Sequence, residues 1–453
     1  MEPRPHSSSL TWLAVALGAG ACALLGSVGA DARWLAALGR AILAEHSIPS
    51  GVPYAAAPSA DWANVPVLGE LVFHSLQVVG GDRGLLLAQL VAVTAALTLL
   101  AFGMRAAGAP DAASATVLLL VFFAAAPSLI IVRAQLFSLV LFSVALVLLR
   151  AEARRPSRRV WLLVPLVALW SNLHGAVLVG LAVVTAYLVL ERARREPAVA
   201  ACVLVASCAA LFLTPALTAS GDYYLGVLRS EAAQRGEGMW APLSVHRPFD
   251  VLFILLAIPL LVLAIRSRPR IWELACVAAF VALTLQAGRN GIWLLFLIAA
   301  PAADALGKRF LRDFSVSRRT IVLCAWVPAL FLSVGVVKTP RPEGAGARVR
   351  AEAARLAAGK PILADGIDAE QLALDGQSVL IANPLDAFSR RDQRLYLDWL
   401  DASPSGDALL RGATAVVVTR GSAPQQRLDR DRSFRRAAVD EKAVIYVRVP
   451  SKE

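Results

Sequence analysis

Along most of the chain, apolar residues run in blocks of helix-spanning length, and short clusters of arginine separate the blocks. A continuous apolar run of roughly 20 residues matches the thickness of a bilayer core, whereas the helices of a soluble domain alternate apolar and polar faces. The blocks predict membrane spans near 10–30, 83–104, 114–132, 135–149, 160–172, 175–190, 198–214, 250–266, 271–287, 291–306 and 320–337, about eleven in all. From about Pro340 the pattern changes. "ARVRAEAARLAAG", "IDAEQLALDG", "SRRDQRLYLDWLDA" and "QRLDRDRSFRRA" read as helices, and "KPILAD", "SVLIAN", "ATAVVVT" and "AVIYVRV" read as strands. Helices alternating with apolar strands predict a small α/β layer with a partly parallel sheet. The expected fold class is therefore a multi-span α-helical membrane protein, residues 1–339, with a small extracytoplasmic α/β domain, residues 340–453.

Composition agrees and narrows the class. The chain is 57% hydrophobic and 17% charged, with a mean hydropathy of +0.62, which excludes a soluble globular protein. A net charge of +12 would fit a nucleic-acid partner, but the basic residues fall in short loops beside apolar runs, so no nucleic acid is expected. These loops are "RAEARRPSRR" (Arg150 to Arg159), "ERARRE" (Glu191 to Glu196), "IRSRPR" (Ile265 to Arg270) and "GKRFLRDFSVSRR" (Gly307 to Arg319). The positive-inside rule assigns all four to the cytoplasm, with a cytoplasmic N-terminus and the C-terminal domain outside. "GSVGADA" after the first run resembles a signal-cleavage site. The run from Leu10 to Ala30 is longer than a usual signal core and is preceded only by Arg4, so a retained helix is expected.

Against this background, polar residues inside apolar stretches stand out. "LVALWSNLHGAVLVG", Leu166 to Gly180, is either a kinked helix with its polar groups turned to a neighbour or a turn facing a site. Its two arms both return to basic loops and are short for full spans. The bend at Asn172 and His174 is therefore expected inside the outer leaflet, in a cavity walled by protein. Asp31, Glu70, Arg133 in "IVRAQLF", Glu237 and Trp240 in "GEGMWAPLSVHRP", and Arg289-Asn290 in "QAGRNGIW" all fall on the same outer side. Each alone could be a snorkelling or interfacial side chain. Arg133, in a two-residue turn between long apolar runs, points most clearly to function. In the first outer loop, 31–82, "DARWLAALGRAILAEHSIPSG" reads as an amphipathic helix lying in the interface. "VPVLGELVFHSLQVVGG" offers a second such helix, with Glu70 and His74 four apart on what reads as an ordinary exposed face.

The order of these features carries a resemblance. An acid ends span one, a glycine follows eight residues on, and "ILAEHSIP" comes next. Then follow Arg-x-Gln-Leu-Phe, Trp-x-Asn-Leu-His-Gly, an acid and tryptophan before proline, and Arg-Asn opening a late span. Over nearly the whole chain this resembles bacterial GT-C class integral-membrane glycosyltransferases of the mannosyl- or aminoarabinosyl-transferring kind. The resemblance implies a plasma (inner) membrane location, a polyprenyl-phosphate-linked sugar as donor, and a glycan or lipid acceptor delivered from the outer side. It implies Asp31 as the acid acting at the acceptor hydroxyl, with Arg133 and Arg289 as cations at the departing phosphate. His174 would be a phosphate ligand or an orienter of Asp31. Glu70, Asn172, Glu237, Trp240 and Asn290 would contact substrate. Two positions depart from the pattern: Leu35 stands where related sequences carry histidine, and Val65-Pro66-Val67 where they carry His-Glu-Trp. Either Glu70, His74 and His46 take over those roles, or the chemistry is lost or changed.

The remaining chemistry is sparse. All five cysteines lie in apolar spans, and no pair of histidines or cysteines has ligand spacing, so neither disulfides, metal nor cofactor are expected. The C-terminal domain shows no P-loop, dinucleotide turn or nucleophile elbow, and is expected to cap the cavity, present an acceptor or simply stabilise the chain. Two competing classes remain. One is a lipid-linked sugar flippase, which an absence of matching broken spans in the two halves disfavours. The other is a non-catalytic GT-C-like partner in envelope polysaccharide assembly.

Overall fold

The structure, a computed structural model, describes residues 9–29, 31–311, 314, 316–338 and 344–449; Arg4, Ala30 and the expected boundary at Pro340 lie outside them. The chain forms two compact units. One comprises Met1–Gly26, Leu86–Leu213 and Gly236–Thr339. The other comprises Ser27–Leu85, Thr214–Arg235 and Pro340–Glu453, so the first outer loop folds with the C-terminal stretch.

The first unit is helical. A helix occupies each of the apolar blocks, and among the described residues of the whole chain five helices are long and apolar enough to cross a membrane: Val67–Ala106, which begins in the second unit, Gln135–Arg154, Pro248–Arg266, Gly288–Phe310 and Arg318–Val337. Ser9–Leu25, Asp111–Ala124, Pro197–Ala210 and Ile271–Gln286 are shorter apolar helices. Exposed apolar side chains such as Leu323, Trp326 and Leu330 cover Arg318–Val337, as expected of a helix surrounded by lipid. Gly291–Phe310, by contrast, is buried almost all round and forms the centre of the unit. Helices approach through small residues. A Cβ on Gly335 would stand 2.5 Å from the backbone of Ala23, and one on Gly180 would stand 2.3 Å from the Trp170 ring.

One end of this unit is knitted together by ion pairs. Arg192 meets Glu152 at 3.0 Å with both side chains buried, Glu152 also accepts the Ser157 amide at 2.8 Å, and Arg270 meets Glu191. Arg150 meets Glu273 at 2.9 Å. Three of the four basic loops, those at 150–159, 191–196 and 265–270, therefore gather at one face.

The second unit carries a four-stranded sheet. Ile362–Ala364 pairs parallel with Ala415–Thr419, which pairs antiparallel with Ala443–Arg448, which pairs antiparallel with Phe434–Val439. Two sequence expectations fail here. "SVLIAN" makes only isolated bridges through Val379, to Ala55 and Ile362, with the Ala56 amide bonding the Val379 carbonyl at 2.8 Å. "QRLDRDRSFRRA" is not one helix: the helix Ala423–Leu428 stops, Asp431 Oδ1 accepts the Ser433 amide in a turn, and Phe434–Val439 becomes an edge strand. Its arginines suit the open side of an edge strand.

The first outer loop also differs from expectation. Ala32–Glu45 does not lie free as an interfacial helix. Its first two turns are buried, it packs against the helix Gly366–Leu374, and Arg40 caps that helix through the Leu374 and Ala373 carbonyls. Val67–Ala106 is kinked at Gly81, whose φ of 55° and ψ of −145° suit only glycine. Glu70 is not on an exposed face: it is fully buried beside Gly39, where a Cβ would meet the Glu70 carbonyl oxygen at 2.3 Å.

Candidate functional site

Each unit contributes its own polar constellation. In the second unit Asp31 stands at the start of Ala32–Glu45 with φ at 81°, a left-handed backbone uncommon for a residue with a side chain. Its Oδ1 accepts the Trp34 indole N–H at 3.3 Å, and its own amide donates to both oxygens of Glu370, at 3.0 and 3.2 Å. Such a strained residue persists only where its surroundings hold it. Glu370 in turn accepts from Asn383 Nδ2 at 2.6 Å, and the Tyr54 hydroxyl donates to the Asn383 carbonyl at 2.8 Å. Burial, with the Asp31 charge next, pushes the Glu370 carboxyl up to about 8, so it holds its proton at neutral pH.

Glu70 accepts from Asn64 Nδ2 at 2.7 Å, while Glu70 Oε1 and Asn64 Oδ1 are buried without a partner among the described residues. Beside this group, Trp62 donates to Asp386 Oδ2 at 3.1 Å and meets Tyr223 edge-on, with ring centroids 6.2 Å apart. Burial raises the Asp386 carboxyl to about 6. Trp62, Tyr223 and Asp386, together with Asp61, Asp222 and Ser389, line a cleft of about 400 Å³. Aromatic edges and carboxylates of this kind suit a polyhydroxylated ligand without negative charge. Glu370, Asn383, Trp62 and Asp386 were missed from the sequence, where Trp62 reads as an ordinary residue of the first outer loop and the others as ordinary residues of the C-terminal domain.

In the first unit the Trp170-to-Gly175 stretch is a turn between Leu163–Ser171 and Val177–Leu190. The Trp170 indole donates to Ser138 Oγ at 2.6 Å, and Ser138 Oγ lies 2.7 Å from His174 Nδ1. Ser138 Oγ thus ties Trp170 and His174 together, accepting from the indole and sharing a hydrogen bond with the imidazole whose direction follows the tautomer. Arg289 stacks over Trp240, 4.5 Å from the ring centroid, and lies within electrostatic reach of His174. Arg133 contacts Met239 Sδ through Nη1 at 2.7 Å, while its Nε is buried without a partner among the described residues. The Gly238–Trp240 turn thus touches both arginines, and Glu237 precedes it, half-exposed. Asn172 and Asn290 use their amide nitrogens to cap main-chain carbonyls, of Ala168 and Leu213 and of Leu283 respectively. The structure therefore gathers Arg133, His174, Trp240 and Arg289 in one unit, and places Asp31 and Glu70 in the other. The positions that depart from the resemblance are filled by packing: Leu35 and Val65 are buried, His46 is exposed, and His74 is half-buried.

No protein-family profile matches the chain, and no curated protein matches it in sequence. Solved structures do match in fold. ArnT from Cupriavidus metallidurans bound to undecaprenyl phosphate superposes with a TM-score of 0.54 at 15% identity, over 97% of this chain and 98% of that one. Its apo state matches at 0.50 and 15% identity, over 97% of each chain. Arabinofuranosyltransferase AftD from Mycobacteria matches at 0.51 and 15% identity, over 96% of this chain and 41% of that one. Over nearly its full length, then, this chain is an integral membrane protein with the fold of those structures.

Proposed function

We propose that this protein is a glycosyltransferase that moves a hexosyl or pentosyl unit from a polyprenyl-phosphate donor to a glycan or lipid acceptor at the outer face of a bacterial plasma membrane. The observation that carries the reading is Asp31, a carboxylate held at a left-handed backbone by Glu370 and Trp34 in a fold shared end to end with a protein solved with undecaprenyl phosphate bound. In the proposed step Asp31 takes the proton of the acceptor hydroxyl, and that oxygen attacks the anomeric carbon. The bond from that carbon to the phosphate oxygen breaks, and polyprenyl phosphate leaves with the electron pair. Arg133 and Arg289 stabilise the departing phosphate, with His174 as a further phosphate ligand or an orienter of Asp31. Glu70, Glu237 and Trp240 contribute to the sugar sites, and the cleft at Trp62 and Asp386 accommodates a neutral or amino sugar of the acceptor. All eleven apolar blocks cross the membrane in this reading, with the basic loops inside.

A second reading, a non-catalytic GT-C-like partner, draws on Leu35 and Val65, apolar and buried where the resemblance carries histidines. The test is transfer from undecaprenyl-phosphate-linked sugars in proteoliposomes. Asp31→Asn keeps the shape but removes the proton acceptor, so turnover falls on the order of 100-fold or more while donor binding holds. Donor binding by the wild type without turnover supports the partner reading. Movement of intact lipid across the bilayer supports a flippase.

A further inference from the structure

We infer that the basic end of the first unit holds a binding site for a phosphate ester, supplied by the headgroup of an anionic phospholipid. A pocket of about 220 Å³ lies there, lined by Arg150, Arg154, Arg268, Arg270, Trp272 and Glu273 among others. It is remote from the constellation at Arg133 and Arg289. Arg150 and Arg154 lie at the far end of Gln135–Arg154 from Arg133, and Trp272 at the far end of Ile271–Gln286 from Arg289. A helix of that length separates its ends by about 25–30 Å.

The charges around this pocket do not cancel. Arg150 is held by Glu273 at 2.9 Å and by the Leu297 carbonyl at 2.6 Å, and Arg270 is held by Glu191. Asp304, the other acid lining the pocket, meets Lys308 at 2.7 Å. Both acids are thus already engaged. Arg154 and Arg268 come from different loops and have no side-chain partner among the described residues, yet they meet at this one pocket.

Trp272, fully buried, forms part of the pocket wall. Arg268 adopts φ of 58° immediately before Pro269, a backbone that the proline disfavours and that only surrounding structure sustains. Two guanidinium forks form a suitable set for a phosphate diester. The exposed apolar side chains of Ile265, Ile271 and Leu274 flank the same loop and provide a surface for acyl chains, which favours a lipid over a soluble phosphate.

The test uses the full-length protein in detergent, with thermal unfolding and native mass spectrometry as readouts and phosphatidylglycerol, phosphatidylcholine, glycerol 3-phosphate and inorganic phosphate as probes. Phosphatidylglycerol should raise the unfolding midpoint and remain bound as one retained copy, and phosphatidylcholine should do neither. Arg154→Gln with Arg268→Gln should abolish both effects. Arg155→Gln with Arg158→Gln, which removes the same charge from the same end, should leave them intact. Equal loss in the two double variants would overturn the site. Equal stabilisation by inorganic phosphate would overturn the lipid assignment and leave a site for soluble phosphate. Because the readouts are binding and stability, the outcome does not depend on transferase activity.

Discussion

Replacing Glu370 by glutamine should stabilise the second unit at neutral pH and cost stability in acid. Glu370 is 1% exposed, and its carboxyl sits at about 8 against an ordinary 4.5, first because of burial and then because of the Asp31 charge. Below pH 4.5 the folded and unfolded chains both carry the proton, and the group contributes no pH dependence. As pH rises from 4.5 to about 8 the unfolded chain ionises while the folded one does not, so stability falls by about 1.4 kcal/mol per pH unit. Above about 8 the loss is complete and constant. At pH 7 the accumulated penalty is roughly 3 kcal/mol. Glutamine has no such penalty but offers one acceptor oxygen where the carboxyl offers two to the Asp31 amide and Asn383, a loss of about 1 kcal/mol. The variant should therefore be about 2 kcal/mol more stable at pH 7 and about 1 kcal/mol less stable at pH 4.5. The assay is denaturant unfolding followed by tryptophan fluorescence at pH 4.5, 6, 7 and 8, with Asp31→Asn as a second background in which the fall in stability should end at a lower pH. A difference between variant and wild type that stays constant with pH would refute the reasoning.

Gly180→Ala should lower stability by roughly 1–3 kcal/mol through overpacking against Trp170, and Trp170→Phe in the same chain should recover part of the loss. The check is the unfolding midpoint of the single and double variants, and an unchanged single variant would remove the close approach as the reason for this glycine. Glu152→Ala should cost about 1–3 kcal/mol, since it removes the buried carboxylate that Arg192 meets and leaves it the exposed Glu196 carboxylate and the Ser157 carbonyl; Arg192→Met added to it should restore part of that, measured by the same midpoint. Thiols engineered at Ser422 and Gly238 should react with an impermeant reagent from outside intact cells, and thiols at Ser157 and Ser267 should not. Outside labelling at Ser157 would reverse the orientation.

The sequence alone determined where helices form in the first unit. A segment that long and apolar cannot leave its backbone amides unpaired in lipid, so each apolar block folds as a helix whatever its neighbours do. It also determined the alternation of Ala347–Ala357, Ile362–Ala364, Gly366–Leu374, Ala415–Thr419 and Ala443–Arg448, because local period and turn residues suffice there. It could not determine partners. Glu70 in "GELVFH" and Glu370 in "IDAEQLAL" look like exposed helix faces, because a period reports polarity and not whether a polar group is met by water or by protein. Only the tertiary structure brings Glu370 to the Asp31 amide, 339 residues away, and buries Glu70 against Gly39 and Asn64. The same holds for the basic loops, which the charge pattern identified as a set. Their ion pairs, and the pocket at which Arg154 and Arg268 meet, depend on which helix ends the fold brings together, because a charge pairs with its nearest neighbour in space.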